Sequence, residues 1–473
     1  MTAAALWIYV PFFTGALLML LPGRKRFSRI VSLVLTGFLA YTALQIPVNS
    51  MIVFNRSSLI FSSSARLLGR SVTIDRADQT LVAFFYIFAF LWIFGSMFTE
   101  TYRFFIPISL MSTALLVGVI AVKPFIYGIF LVMICALLFL PLLRNTEKRN
   151  EESIFRFLLY QLLGMICLAL SGQLTGMLDI NPQDQYLLKR TVALIFAGFS
   201  LWLAVFPFFS WIAVLMEKSC PFASGFVVSL LQFSSLFILL QFLNDHIWLR
   251  SYQPLFRGFR LAGLMMLIIG SVWAVFQKDL QRMMAFIMTA ENGVSILLIG
   301  TNSRESINTF LSCLFIHSVV WLIWATSVKF ISGDTDLSLE SLRGFARPHP
   351  IVCMALLLSH FTVSGMPLLA GFRLRMSLLS SCFRYSSALG WAAAAASGVL
   401  VFSGFRLLFV FLSPLRDEPG EIPAADEQTR YQLLMRRVLL ISLMVLLVLI
   451  GFFPSLMEIF ISGIRTQYAL IFG

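Results

Sequence analysis

Apolar runs long enough to cross a bilayer recur along this chain from residue 3 to residue 460, and they limit its fold more than any other feature. Lipid offers the backbone no hydrogen-bond partner, so each run must be helical or belong to a closed barrel. The runs are about twenty residues long, roughly twice what a barrel strand needs. The expected fold is therefore an all-α polytopic membrane protein. Fourteen spans are expected, at 3–21, 29–46, 79–98, 104–122, 124–143, 154–174, 191–214, 219–243, 260–277, 282–299, 308–331, 351–381, 388–412 and 437–460. The composition of the 473 residues, 59% hydrophobic and 12% charged, excludes a soluble domain of any class.

Most connections are short, and no soluble domain fits between the spans. The longest, 47–79, is polar and serine-rich and reads as a surface hairpin or loop. Also notable are 333–350 and an acidic-basic loop at 416–436. The first run is followed, not preceded, by its basic cluster (Arg24, Lys25, Arg26 and Arg29), which argues against a cleaved signal peptide. The net charge of +13 is spread over loops beside the membrane, so nucleic acid is not an expected partner. A mild excess of basic residues in loops after odd-numbered spans favours both termini on the non-cytoplasmic side. Cys135, Cys167, Cys220, Cys313, Cys353 and Cys382 are scattered without metal-type spacing and read as free thiols. No nucleotide loop, haem motif or iron–sulfur ligand set occurs, so no cofactor is expected.

Two spans are interrupted. In 351–381, the stretch Ser-Gly-Met-Pro-Leu-Leu-Ala-Gly-Phe-Arg-Leu-Arg from Ser364 to Arg375 places Gly365, Pro367 and Gly371 where a helix should continue. In 191–214, Pro207 interrupts Phe206-Pro-Phe-Phe-Ser-Trp211. The breaks lie five spans apart, and an odd offset puts them in units of opposite orientation, as in an inverted-repeat transporter. The competing reading is a coincidence of proline kinks, with Arg373 and Arg375 snorkelling to the surface.

Few ionisable residues fall inside spans, and those that do are functional candidates. Glu291 is mid-span and either works on protons or is a protonated acid bonded to a neighbouring helix. Histidine titrates near neutral pH, so His317 and His360 either relay protons or stay neutral against a helix carbonyl. Arg375 either neutralises a carboxylate of a partner subunit or lines a residual cavity, or it snorkels to the interface. Gln232 either bridges water or bonds across helices. Lys278 is a proton-path candidate that, with Arg282, reads more readily as a surface anchor. Glu217 and Lys218 read as a solvated pair.

Together these features resemble the antiporter-like membrane subunits of respiratory complex I, Mrp-type antiporters and hydrogenase-4-type membrane hydrogenases, over roughly residues 75–415. Gly365-Met-Pro-Leu-Leu-Ala-Gly-Phe resembles the family's Gly-x-Pro-Pro-x-x-Gly-Phe, which ends in lysine. Pro207-Phe-Phe-Ser-Trp211 resembles Pro-Leu-His-x-Trp, Cys220-Pro-Phe-Ala-Ser resembles Ala-Pro-Thr-Pro-Val, and Lys278-Asp-Leu-Gln-Arg-Met-Met-Ala-Phe resembles Asp-Ile-Lys-Arg-x-Leu-Ala-Tyr. Glu291-Asn-Gly293 is similar to the Glu-Asn-x-Gly of hydrogenase-type members.

The resemblance implies one transmembrane domain, 1–473. It would comprise N-terminal helices at 1–103, a first inverted repeat at 104–243, a second at 260–412 and a C-terminal helix at 437–473. It also implies other membrane subunits as partners, a bacterial or archaeal inner membrane, and a midplane polar axis on which a glutamate and several lysines carry protons. This chain departs from that axis. Trp202, Phe233 and Trp321 stand at lysine positions, Phe130 at the glutamate position, Phe209 at the histidine and Arg375 at the last lysine. Arginine does not release its proton in proteins. The expected function is thus a subunit with reduced or lost conduction, its axis filled by rings. The alternative is an active carrier rerouted through Glu291, His317, His360 and Arg375, and a membrane enzyme of unrelated chemistry is disfavoured. The long lateral helix that some members carry after the last span is not expected here.

Overall fold

The computed structural model of the chain describes all residues except 1, 21–24, 55, 56, 68, 100, 125, 145–149, 182, 183, 334, 415–426 and 469–473. Of the acidic-basic loop expected at 416–436, residues 416–426 lie outside the described residues and 427–436 are helical instead.

The chain opens with a π-helical turn, Ala5–Tyr9, running into α1 (Val10–Met19), and continues through α2 (Lys25–Gln45), α3 (Gln79–Ser96) and α4 (Phe105–Ala121). Next come α5 (Ile126–Leu138) with its continuation α6 (Leu140–Leu143), α7 (Glu151–Ile180), α8 (Gln185–Trp202), α9 (Ser210–Lys218) and α10 (Pro221–Asp245). A short α11 (Ile247–Ser251) leads to α12 (Gln253–Phe276), α13 (Leu280–Thr301) and α14 (Arg304–Ile331). The chain closes with α15 (Pro350–Ser364), α16 (Ala370–Tyr385), α17 (Ser387–Leu412), α18 (Glu427–Phe452) and α19 (Ser455–Gln467).

Among the described residues, ten helices are long and apolar enough to cross a membrane. The segments expected at 3–21, 104–122, 191–214 and 351–381 fold instead as shorter or interrupted helices. The serine-rich 47–79 connection is not a plain loop. β1 (Met51–Phe54) pairs antiparallel with β2 (Ser57–Ile60), and β3 (Ser64–Leu67) pairs with β4 (Arg70–Thr73), which also pairs with β5 (Val122–Lys123).

Burial separates the helices into two groups. α10, α13 and α14 are almost wholly enclosed, whereas α2, α7, α17 and α18 leave most of their apolar surface outward, as lipid-facing helices do. Small residues bring α12 and α13 to backbone contact. A Cβ on Gly263 would stand 2.6 Å from the Gly293 carbonyl, and one on Gly270 would stand 2.7 Å from the Phe286 carbonyl. Close approach at glycine is the usual route to helix packing in lipid, where dispersion replaces the hydrophobic drive.

Both expected breaks are present. α8 stops at Trp202, Ala204 takes a left-handed φ of 57°, and helix resumes at Ser210. In the later break, Gly365 with φ 79° ends α15, and the Met366 amide donates to the Phe361 carbonyl at 2.9 Å, a Schellman cap. Gly365 is thus the residue that stops the helix, and Pro367 follows the cap, where it costs no helical hydrogen bond. Gly371 is fixed by space: a Cβ there would lie 1.8 Å from the Thr362 carbonyl oxygen.

Candidate functional site

The Lys278–Gly293 motif works mainly as a clamp that sets the position of α13. Asp279 caps the helix by accepting from the Arg282 amide at 2.9 Å. Gln281 donates to the Met216 and Ser219 carbonyls at 2.7 and 3.0 Å, tying the end of α9 to α13. Arg282 pairs with Glu217 at 3.4 Å, so Glu217 reaches across to α13. Lys278 is exposed, and its carbonyl accepts from the Leu339 amide at 2.7 Å, outside the buried site. With α13 held at this end and packed on α12 through Gly293, the Glu291 side chain is fully enclosed.

Three expected residues from three helices meet there. An Arg375 guanidinium nitrogen from α16 donates to Glu291 Oε1 at 2.5 Å, and His317 Nε2 from α14 lies 3.2 Å from Glu291 Oε2. The same Arg375 nitrogen also donates to the Val363 carbonyl at 2.5 Å, on the last turn of α15. Arg375, Glu291 and His317 are 4%, 3% and 7% exposed at their side chains, so this is no snorkelling arginine. Gly365 makes the arrangement possible, since a Cβ there would stand 2.6 Å from Arg375 Cβ. The broken span thus aims Arg375 inward, and the carbonyl at the helix break takes part of its hydrogen bonding.

The electrostatics follow from the chemistry of the pair. Arginine keeps its charge, so an ionised Glu291 beside it makes a pair that is neutral overall. Such a pair survives desolvation only when its remaining donors and acceptors are met. Oε2 has the His317 Nε2–H, and the His317 ring packs on Trp321 with centroids 5.5 Å apart. Arg375 Nη1 is buried with no protein partner among the described residues. Beside it lies a cavity of about 20 Å³ bounded by Glu291, His317, Cys313 and Thr362. That is room for one water, with enough polar partners to hold it.

The other candidates lie apart from this cluster. His360 Nε2 is 3.0 Å from the Ser403 hydroxyl and 3.1 Å from the Leu400 carbonyl of α17, and among the described residues it makes no hydrogen bond to Glu291. Gln232 is buried in α10 and its Nε2 has no protein partner among the described residues. Trp202 is enclosed, its indole donates to the Gln161 carbonyl at 3.0 Å, and its ring fills the space where a Cβ on Gly164 would fall, 2.3 Å away. Phe233 packs into rings from α3, 5.7 Å from Phe88 and 5.9 Å from Phe84. Phe130 corrects the expectation that rings fill every former charged position. It is 43% exposed on the outer face of α5, because the inward face of that helix is taken by Ile129, Val132 and Cys135.

Sequence reasoning passed over two arginines. Arg260 is buried, donates to the Gly300 carbonyl at 2.6 Å and lies 3.8 Å over the Tyr385 ring. Arg406 donates to the Gln277 carbonyl at 2.7 Å and to the Val275 carbonyl, satisfying the end of α12. Both stand inside or at the edge of expected apolar spans, which is the signal that could have marked them.

Residues 125–402 match the family described as "NADH:quinone oxidoreductase/Mrp antiporter, TM". The chain belongs to this family. NADH-quinone oxidoreductase subunit N 2 of Acidobacterium capsulatum is 23% identical over 353 residues, covering 70% of each chain. Subunit N of Pelagibacter ubique is 23% identical over 198 residues, covering 41% of each chain, so some of these matches span under half of the relative. Solved structures agree over nearly the full length. A chain of the Mrp complex of a Dietzia species superposes with a TM-score of 0.78 at 15% identity, covering 99% of both chains. A chain of Thermus thermophilus respiratory complex I with bound NADH gives 0.77 at 17%, covering 99% of this chain and 100% of that one. A chain of an archaeal membrane-bound sulfane sulfur reductase gives 0.79 at 17%, covering 99% and 97%. At these identities the structures establish the fold, that of an integral, multi-pass antiporter-like membrane protein.

Proposed function

We propose that this chain is a membrane subunit of a proton-translocating oxidoreductase complex, hydrogenase-type or NADH:quinone oxidoreductase-like, whose own proton conduction is reduced or lost. It would sit in a bacterial or archaeal inner membrane among other membrane subunits, with fourteen spans and inverted five-helix units at 104–243 and 260–412. What supports the repeat is that α8–α9 and α15–α16 are each the fourth of five successive segments and each is broken.

The observation that carries the functional reading is the pairing of Glu291 with Arg375 at 2.5 Å. A proton path needs groups that load and release, and here the buried acid is tied to a cation that cannot do so. In the first unit the corresponding broken helix ends in Trp202, whose indole is locked on Gln161 and Gly164. One observation favours the second reading, an active carrier through Glu291, His317 and Arg375: the three meet in one cluster beside a water-sized cavity.

Reconstitution of the complex in proteoliposomes with Glu291→Gln separates the readings. Unchanged proton translocation with intact assembly supports the non-conducting subunit. Abolished translocation in an assembled complex refutes it and favours the carrier.

A further inference from the structure

A second cavity, of about 560 Å³, opens between α14, α16, α18 and α19. It runs from the start of α14 and the end of α16, where Arg384 pairs with Glu305, down to Ala370 at the break. Pro454, at the corner between α18 and α19, lines it too, next to Phe452 and Phe453, which are 72% and 55% exposed. The lining is amphipathic, with Leu374, Ile450 and Ile461 beside charged groups of both signs.

The unmet hydrogen-bonding groups define what fits. Arg373 faces the cavity with no ion-pair or hydrogen-bond partner among the described residues, so it offers donors to an anion. Asn308 Oδ1 lines the same cavity, is buried and lacks a donor among the described residues. Glu458 is also in the lining and is held at 3.2 Å from Arg465. One molecule that brings an acceptor-rich anion and an N–H cation together satisfies both ends.

We propose that this cavity binds the headgroup of a zwitterionic phospholipid carrying a primary ammonium, its phosphodiester on Arg373 and its ammonium at Asn308 and Glu458. A primary ammonium has three N–H donors for those oxygens, whereas a quaternary one has none. The acyl chains leave past Phe452 and Phe453. The site is independent of whether the chain conducts protons.

The test uses the purified assembled complex, delipidated in detergent and titrated with short-chain phosphatidylethanolamine, phosphatidylcholine, phosphatidylglycerol or inorganic phosphate. Thermal stability is read throughout, and retained phospholipid is counted by mass spectrometry. The expected result is that the ethanolamine lipid is retained and stabilises most. Arg373→Ala should weaken its apparent affinity about tenfold through loss of a charge-assisted contact. Glu458→Gln should reduce the preference for ethanolamine over choline. Arg373 is exposed, so its replacement spares the fold, which elution of the intact complex checks. Equal stabilisation by phosphatidylglycerol or inorganic phosphate would show a simple anion site and overturn the proposal. An unaltered affinity in Arg373→Ala, or no bound phospholipid, overturns it as well.

Discussion

Replacing Arg375 with methionine removes the guanidinium beside a fully buried carboxylate. Methionine keeps much of the volume, so packing is nearly conserved and the loss is electrostatic. Glu291 is then left with His317 alone at 3.2 Å, and the Val363 carbonyl loses its side-chain donor. Breaking a buried pair by deleting one partner costs about 3–5 kcal/mol, because the survivor is stranded. That is roughly a hundredfold or more in the folded population. Glu291→Gln alone strands the arginine and should cost a similar amount. The double variant, Glu291→Gln with Arg375→Met, strands neither charge, so its loss should fall short of the summed single losses by about 2 kcal/mol or more. Arg375→Lys should lie between wild type and methionine, since one ammonium on a shorter reach cannot serve Glu291 and Val363 together as the guanidinium does. The measurement is resistance to thermal unfolding in detergent, followed by size-exclusion fluorescence at matched expression. Additive losses, or single losses under about 1 kcal/mol, would refute the account of a mutually dependent buried pair.

Three further perturbations follow from the same geometry. Gly371→Ala places a methyl 1.8 Å from the Thr362 oxygen and should cost about 3 kcal/mol or more by forcing α15 and α16 apart, seen as loss of the monodisperse folded peak. Trp202→Ala empties the space over Gly164 and should cost about 3–5 kcal/mol, whereas Trp202→Phe should lose only about 1 kcal/mol with the Gln161 hydrogen bond, both read as thermal shifts. Asp78, just before α3, is pushed up to about 6 by burial, against an ordinary value of 3.8. Its neutral form is thus favoured on folding, so its contribution is complete below about pH 4 and is lost as pH rises through 6. Asp78→Asn should flatten the stability–pH curve over that window, and an unchanged slope would remove Asp78 as its cause.

How far the sequence disclosed this architecture depends on what each residue does. Spans of pure apolar residues are readable because lipid imposes one local solution on each of them. The break in 351–381 is readable too, because Gly365 and Pro367 are punctuation in any helix. Its mechanism was not readable in full. Nothing local says that Gly365 rather than Pro367 stops the helix, or that Gly371 is dictated by a carbonyl nine positions upstream. The 47–79 connection reads only as a hairpin or loop because a serine-rich stretch has weak alternation, and β5, which completes one of the sheets, comes from a distant turn. Phe130 shows the limit of reading a position by family correspondence. One turn of helix decides between axis and lipid, and only the packing of α5 decides the turn.

The cluster itself shows why lysine and arginine at one position are different machines. Glu291, His317 and Arg375 were each visible as charge in an apolar run, but their sequence separations of 26 and 84 residues hid the fact that they form one unit. A lysine at 375 would leave a point charge that burial can strip of its proton, and the acid beside it could then respond. The guanidinium instead spends one nitrogen on two oxygens, of Glu291 and of Val363, and so welds the carboxylate to the broken end of α15. A change in the protonation of the acid would have to disturb the helix break, and a shift of the break would have to expose the acid. Arginine at 375 is thereby a strut between α13, α15 and α16. A subunit retained for its structure within a membrane arm would gain from that exchange, whereas a subunit retained to move protons would lose by it.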